Sequence, residues 1–188
     1  QSPAAPHDSW PSPFPSGQAP LYFLASRYCL VGTVTYDGGW HNDQKQGNGT
    51  MTYANGNYYS GGWIGNLRNG MGTMEWVVTR ERYVGEWRDG LQHGSGEHTW
   101  RRQQDTTSPF QQRERYVGEW RHGQRHGRGT FWFANGSRYE GMWEKNLKHG
   151  LGTFFFEDGT VYTGPFVRDR LSDGVVQPVP DMFGHLDL

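Results

Sequence analysis

A single cysteine, Cys29, stands in the whole sequence. It excludes an internal disulfide and fits a reducing, cytoplasmic compartment. Aliphatic bulk is scarce too. Apolar residues make up only 34%, against about 45–50% in ordinary globules, so a deep Leu/Val core is not expected. No run approaches the roughly 18 apolar residues of a membrane-crossing helix, and no secretory signal pattern stands at the amino terminus. The formal net charge is −1, so no global field draws nucleic acid. Catalytic signatures are missing as well: no GxSxG, no HExxH, no CxxC pair. No enzyme activity, cofactor or resident metal is expected.

Glycine and aromatic rings are what the chain has in excess, with 28 glycines and 15% Phe, Trp and Tyr. Stability must come from large rings, each burying roughly 150–250 Å². They fall in a repeat. Tyr-x-Gly-x-Trp occurs at Tyr36-Gly38-Trp40, Tyr59-Gly61-Trp63, Tyr83-Gly85-Trp87, Tyr116-Gly118-Trp120 and Tyr139-Gly141-Trp143. A sixth copy, Tyr162-Gly164-Phe166, ends in Phe. The tyrosines are 23, 24, 33, 23 and 23 residues apart. Counted from each tyrosine, positions +11 and +13 are glycine: Gly47/Gly49, Gly70/Gly72, Gly94/Gly96, Gly127/Gly129 and Gly150/Gly152. Position +17 is another ring: Tyr53, Trp76, Trp100, Phe133 and Phe156.

Tyr, Gly and Trp at i, i+2 and i+4 share one face of an extended strand. The later glycines and ring share one face of a second strand. Bare glycine there leaves room for a ring from the neighbouring strand. Position +7 (Asp43, Asn66, Gly90, Gly123, Asn146, Asp169) tolerates a left-handed backbone and places a loop inside each hairpin. Asn55-Gly56, Asn135-Gly136 and Asp158-Gly159 read as two-residue turns between repeats. The fold class is therefore all-β: a single-layer, elongated, twisted antiparallel sheet of about six tandem β-hairpins over residues 36–174. The aromatic ladder lies on one face, and residues such as Glu86, Glu119, Glu140 and Glu144 lie on the wet other face. Sheet twist is expected to bend the ribbon into a groove.

Residues 1–20 hold six of the ten prolines and read as a flexible tail. Residues 21–35 are apolar and β-branched, as in a degenerate cap of the first hairpin. The long tyrosine interval comes from a polar insertion, 101–112, which lengthens one hairpin tip. Gly174 stands where the sixth repeat loses its glycine pair, and residues 175–188 follow as a tail with Met182, Phe183, Leu186 and Leu188 as docking candidates.

His93, His126 and His149 share position +10. Successive repeats lie two strands, about 9–10 Å, apart, too far for three such residues to meet one metal. Residues 79–138 hold eleven Lys/Arg against seven Asp/Glu, while residues 139–188 hold four against eight. The arginines Arg80, Arg82, Arg113, Arg115, Arg121, Arg125 and Arg128 form a candidate patch for an anionic lipid surface. Tyr59, Trp63, Tyr83, Trp87, Tyr116, Trp120, Tyr139 and Trp143 are candidate anchors for a partner's helix or extended peptide in the groove.

The register of Tyr-x-Gly-x-Trp with Gly-x-Gly across 36–174 resembles the MORN repeat family. The resemblance implies a hairpin-ribbon scaffold that binds proteins, sits at membranes, or forms a targeting module of a larger enzyme. The run GEHTW, a polar insertion, then RERYVGEWRHGQRHGRGTFWFANGSRYEGMWEKNLKHGLGTF is similar to family members of the ciliary and flagellar radial spoke head. It implies axonemal proteins as partners.

Overall fold

In the computed structural model, residues 18–19, 32–100 and 113–178 are described. They form one antiparallel sheet without helix. The strands are β1 (Gln18–Ala19), β2 (Val34–His41), β3 (Gln44–Thr52), β4 (Tyr58–Ile64), β5 (Leu67–Trp76), β6 (Glu81–Arg88) and β7 (Leu91–Trp100). They continue as β8 (Glu114–Arg121), β9 (Gln124–Trp132), β10 (Arg138–Glu144), β11 (Leu147–Phe155), β12 (Thr160–Val167), β13 (Arg170–Leu171) and β14 (Val175–Pro178). Each strand pairs with the next in sequence through β13, and β14 returns to pair with β12. The expected hairpin ribbon is present. The insertion 101–112 lies outside the described residues, as do 1–17, 20–31 and 179–188 with Met182, Phe183, Leu186 and Leu188.

The two kinds of turn differ from the reading of the sequence. The turn inside each hairpin is the tight one. Both central residues carry positive φ: Asn42/Asp43, Gly65/Asn66, Asp89/Gly90, His122/Gly123, Lys145/Asn146 and Arg168/Asp169. This is the two-residue type I′ geometry, whose twist matches the flanking strands. The Asn-Gly links are three-residue loops. The Gly56 amide donates to the Tyr53 carbonyl at 2.8 Å, and of the pair only Gly56 is left-handed, at φ 83°. The Asn55 side chain holds the turn by accepting from the Asn57 amide at 3.1 Å. A type I turn followed by a left-handed glycine results.

The two glycines of Gly-x-Gly also part ways. In the first hairpin Gly38 pairs with Gly49, but Trp40 pairs with Lys45. Two extra residues are thus carried by the second strand, as a bulge. Gly47 lies in that bulge at φ 77°, with open space where a Cβ would be. Gly49 has ordinary backbone, yet a Cβ there would meet the Tyr36 ring at under 3.0 Å. Position +11 needs glycine for its backbone, and position +13 needs it for space. The +13 glycines join the Tyr-x-Gly glycines in one row. Gly38, Gly49, Gly61, Gly72, Gly85, Gly96, Gly118, Gly129, Gly141, Gly152 and Gly164 are successive partners from β2 to β12.

The sixth repeat keeps half of this device. Its second strand breaks at Ser172–Asp173 into β13 and β14. Gly174 still sits beneath the Tyr162 ring, so the ring's seat survives although the bulge glycine does not.

Candidate interaction surface

Each tyrosine of the repeat lies flat over the glycine row, and its hydroxyl donates to the carbonyl three residues on. Those bonds run from Tyr36 to Gly39, Tyr59 to Gly62, Tyr83 to Glu86, Tyr116 to Glu119, Tyr139 to Met142 and Tyr162 to Pro165, at 2.7–3.1 Å. In the first, second and fifth hairpins the bulge explains the acceptor: Gly39, Gly62 and Met142 have no partner in the register of their own hairpin. Burial raises the hydroxyl pKa of Tyr59, Tyr83 and Tyr116 and pushes that of Tyr139 up to about 12.

The Trp at +4 binds repeats together. Its ring stands edge-on to its own tyrosine and to the preceding one, as Trp63 does to Tyr59 at 5.1 Å and to Tyr36 at 5.4 Å. Its Nε1–H donates backward to the +13 glycine carbonyl: Trp63 to Gly49, Trp87 to Gly72, Trp120 to Gly96 and Trp143 to Gly129, at 3.0–3.3 Å. Only glycine leaves that carbonyl open to an indole lying over it.

A cation closes most of these steps. Lys45, at position +9, stands 5.0 Å from the Trp63 ring, and Arg68 stands 4.7 Å from Trp87. Arg125 sits among Trp143, Phe131, Tyr116 and Trp100 at 4.5–6.0 Å. Burial pulls its pKa below the usual arginine value. The turn of the following repeat folds back onto the same residue: Asn146 Oδ1 accepts from the Arg125 amide at 2.9 Å, and the Asn146 carbonyl accepts from the guanidinium at 3.0 Å.

The eight rings expected to anchor a partner are therefore the ribbon's own core. Tyr59, Tyr83, Tyr116 and Tyr139 are 0% exposed, and Trp63, Trp87, Trp120 and Trp143 are 4–5% exposed. Their glycine seats and mutual edge contacts cover most of their surface. The seven arginines do not form one patch either. Arg125 is inserted in the ring-bearing face. Arg82 pairs with Glu75 at 2.8 Å. Arg115 makes two bonds to Glu97, at 2.9 and 3.0 Å, and lies over Trp132. Arg80, Arg113, Arg121 and Arg128 remain exposed. Near Arg121, partial burial first and then Arg88, His122 and Arg121 lower the His93 pKa.

Repeat models were compared with the chain. The MORN repeat model matches residues 36–58, 59–77, 83–103, 116–138 and 139–161, more than half of the sequence. The chain belongs to the MORN repeat family. A search of curated proteins finds no match. MORN repeats point to a module that binds proteins or associates with membranes, and the family is generally non-catalytic.

What the MORN ladder leaves outward was not singled out as a site from the sequence. On the ring-bearing face a strip of half-buried rings runs beside the core: Tyr53, Trp76, Trp100, Phe133 and Phe156 at +17. Three of them are backed by the +15 residue: Trp100 by His98 at 4.0 Å, Phe133 by Phe131 at 4.5 Å and Phe156 by Phe154 at 4.7 Å. His98 is buried, its Nε2 is 3.0 Å from Glu81 Oε2, and its Nδ1 has no hydrogen-bond partner among the described residues. The opposite face carries the exposed Met71 and Leu151 and a shallow depression of about 660 Å³ lined by Arg128, Thr130, Glu140, Met142, Leu151 and Thr153 among others. Among the described residues no group of three or more His, Cys, Asp or Glu could hold a metal.

Proposed function

We propose that the protein is a non-catalytic scaffold whose ring-bearing face holds partner proteins in the radial spoke head of a ciliary or flagellar axoneme. The half-buried +17 strip carries this reading. It is the aromatic surface that remains after the Tyr/Trp ladder has packed. Its rings recur every two strands, about 9–10 Å. A helix laid across the strands offers an anchor every seven residues, about 10.5 Å. The axonemal assignment rests on the likeness of the run from Gly96 to Phe154, with its insertion, to spoke-head members of the family.

Affinity capture from ciliary extract tests both parts. The Trp76→Ala/Phe133→Ala chain, shown folded by its amide exchange, should lose the partners that the parent chain recovers. Equal recovery would refute the face reading. A tagged full chain absent from axonemes would refute the assignment while leaving the scaffold standing.

Attachment to an anionic membrane is a second reading, favoured by the exposed Arg80, Arg113, Arg121 and Arg128. Vesicles rich in acidic phospholipid should then float the protein at low salt. A chain left at the bottom of the gradient would eliminate it.

A further inference from the structure

Each tight turn after the first folds back onto the repeat before it. The +7 amide donates to the preceding +9 carbonyl: Asn66 to Lys45, Gly90 to Arg68, Gly123 to Gln92, Asn146 to Arg125 and Asp169 to Lys148, at 2.9–3.2 Å. Three of these turns add a side-chain cap. Oδ1 of Asn66, Asn146 and Asp169 accepts from the Lys45, Arg125 and Lys148 amides at 2.8–2.9 Å. Glycine at +7 removes that cap from the other two, so no oxygen of the turn reaches the Arg68 or Gln92 amide.

The two uncapped amides have different surroundings. Beside Gly90 the other turn residue is the acidic Asp89, and the Arg68 guanidinium itself covers the Gly90 carbonyl at 2.8 Å. Beside Gly123 it is His122, whose ring stands 5.9 Å from the His93 ring, at 73°. Arg88 and Arg121, both at position +5, are exposed and enter no ion pair among the described residues. Burial first, then Arg88, His122 and Arg121, holds the His93 pKa below its usual value against the pull of Glu86. The carboxylates of this region are turned to the backbone. Glu86 accepts from the Ser95 amide at 2.8 Å and Glu119 from the Arg128 amide at 2.9 Å.

We propose that the His122–Gly123 turn is a carboxylate-binding site for an acidic segment of a partner protein. The molecule itself supplies the template. At the last step the cap is a carboxylate: Asp169 Oδ1 accepts from the Lys148 amide and stands 3.2 Å from Lys148 Nζ. A partner's Asp or Glu oxygen takes the same place at Gln92, as a charge-assisted bond beside two imidazoles. Arg88 and Arg121 stand two strands apart, about 9–10 Å. An acidic chain in the polyproline-II form presents one side every three residues, about 9 Å, so carboxylates of one segment reach both arginines. That span fits a run of carboxylates better than one phosphoryl group. Gly32, Trp100, Glu114 and Pro178, at or next to the ends of the described segments, all lie at the opposite, linking edge. The turn edge is also apart from the ring strip, so this site and the scaffold face can fail separately.

The test titrates a synthetic oligoglutamate into the full chain and follows the backbone amides by NMR. The Gln92 amide proton should move downfield as its bond forms. The charged groups around the two imidazoles are Glu86, Arg88 and Asp89 from β6 and its turn, and Glu119 and Arg121 from β8. Binding should weaken about tenfold from about pH 5.5 to about pH 8, as the imidazoles lose their protons. Gly123→Asn gives Gln92 the cap it lacks, at a φ of 76° that asparagine tolerates. It should weaken binding about tenfold. Arg121→Gln should weaken it as well, while Arg168→Gln, an equal loss of charge at another exposed turn, should leave it unchanged. The proposal is overturned if oligoglutamate leaves the Gln92 amide unmoved, or if that amide is already protected from exchange in the chain alone. It is overturned equally if Gly123→Asn binds as tightly as the parent, or if Arg121→Gln and Arg168→Gln bind alike. Inorganic phosphate or acidic-phospholipid vesicles that move the Gln92 amide as far as the peptide does would also overturn it.

Discussion

Two neighbouring steps of the ribbon, from the third repeat to the fourth and from the fourth to the fifth, share one backbone and differ in what fills it. Both have a tyrosine over a glycine pair and an indole bonded to a glycine carbonyl. In the later step Arg125 stands between the rings and Asn146 caps it. In the earlier step position +9 is Gln92 and the capping residue is Gly123, which keeps only the main-chain bond from its amide to the Gln92 carbonyl at 2.9 Å. There the +15 residue is His98, stacked on Trp100, where the later step has Phe131. The row of glycines under rings is thus the invariant frame. The cation and cap are additions that a step can lose, and the step that lost them borders the insertion.

The frame should be equally indispensable in both steps. Gly96→Ala and Gly129→Ala each bring a Cβ to under 3.0 Å from the Tyr83 or Tyr116 ring. Each should cost about 3 kcal/mol, measured by urea unfolding. A cost in one step only would mean that the two frames are not equivalent. The additions should separate the steps. Arg125→Ala removes a buried guanidinium shared by four rings and should cost about 2 kcal/mol. Gln92→Ala should cost under about 1 kcal/mol, because it removes no such contact. Similar costs would erase the distinction.

The frame was the legible part of the sequence. Tyr, Gly and Trp at period two gave the faces of each hairpin, and +7 located the turn. The separate duties of Gly127 and Gly129 were hidden. The bulge inserts two residues, so the inward and outward alternation resumes in phase and leaves no mark in the spacing. The Asn135-Gly136 link misled because a left-handed backbone at one residue and at two draw on the same residue types. The burial of the site rings was hidden for a related reason. Periodicity reports that Tyr116 and Trp120 share a face, while their burial depends on what else that face carries. Charge alone groups Arg125 with the other arginines, and its place among four rings is visible only in the structure.

Grafting should sharpen the comparison next. Gln92→Arg with Gly123→Asn rebuilds the later step's chemistry in the earlier one. Gly123 has φ 76°, close to the 70° of Asn146, so asparagine fits without new strain. The double variant should gain about 1 kcal/mol. A loss would show that Gln92 or the insertion fills the place of the cation.

The smallest effect expected is at His98, and pH isolates it. The His98 hydrogen bond, opposed by burial, holds the Glu81 carboxyl below its ordinary value of 4.5. A depressed carboxyl contributes stability that is present above that ordinary value and is lost as pH falls through the folded one. His98→Phe copies Phe131, removes the unpartnered Nδ1 and leaves Glu81 at a half-buried position with access to water. Its stability at neutral pH should stay within about 1 kcal/mol of the parent. Below pH 4.5 the parent should lose stability faster than the variant, and the Asp/Glu groups of the fourth-to-fifth step serve as the internal reference because neither chain alters them. Parallel acid unfolding curves would show that the Glu81–His98 bond contributes nothing, and that the earlier step stands on its glycines and rings alone.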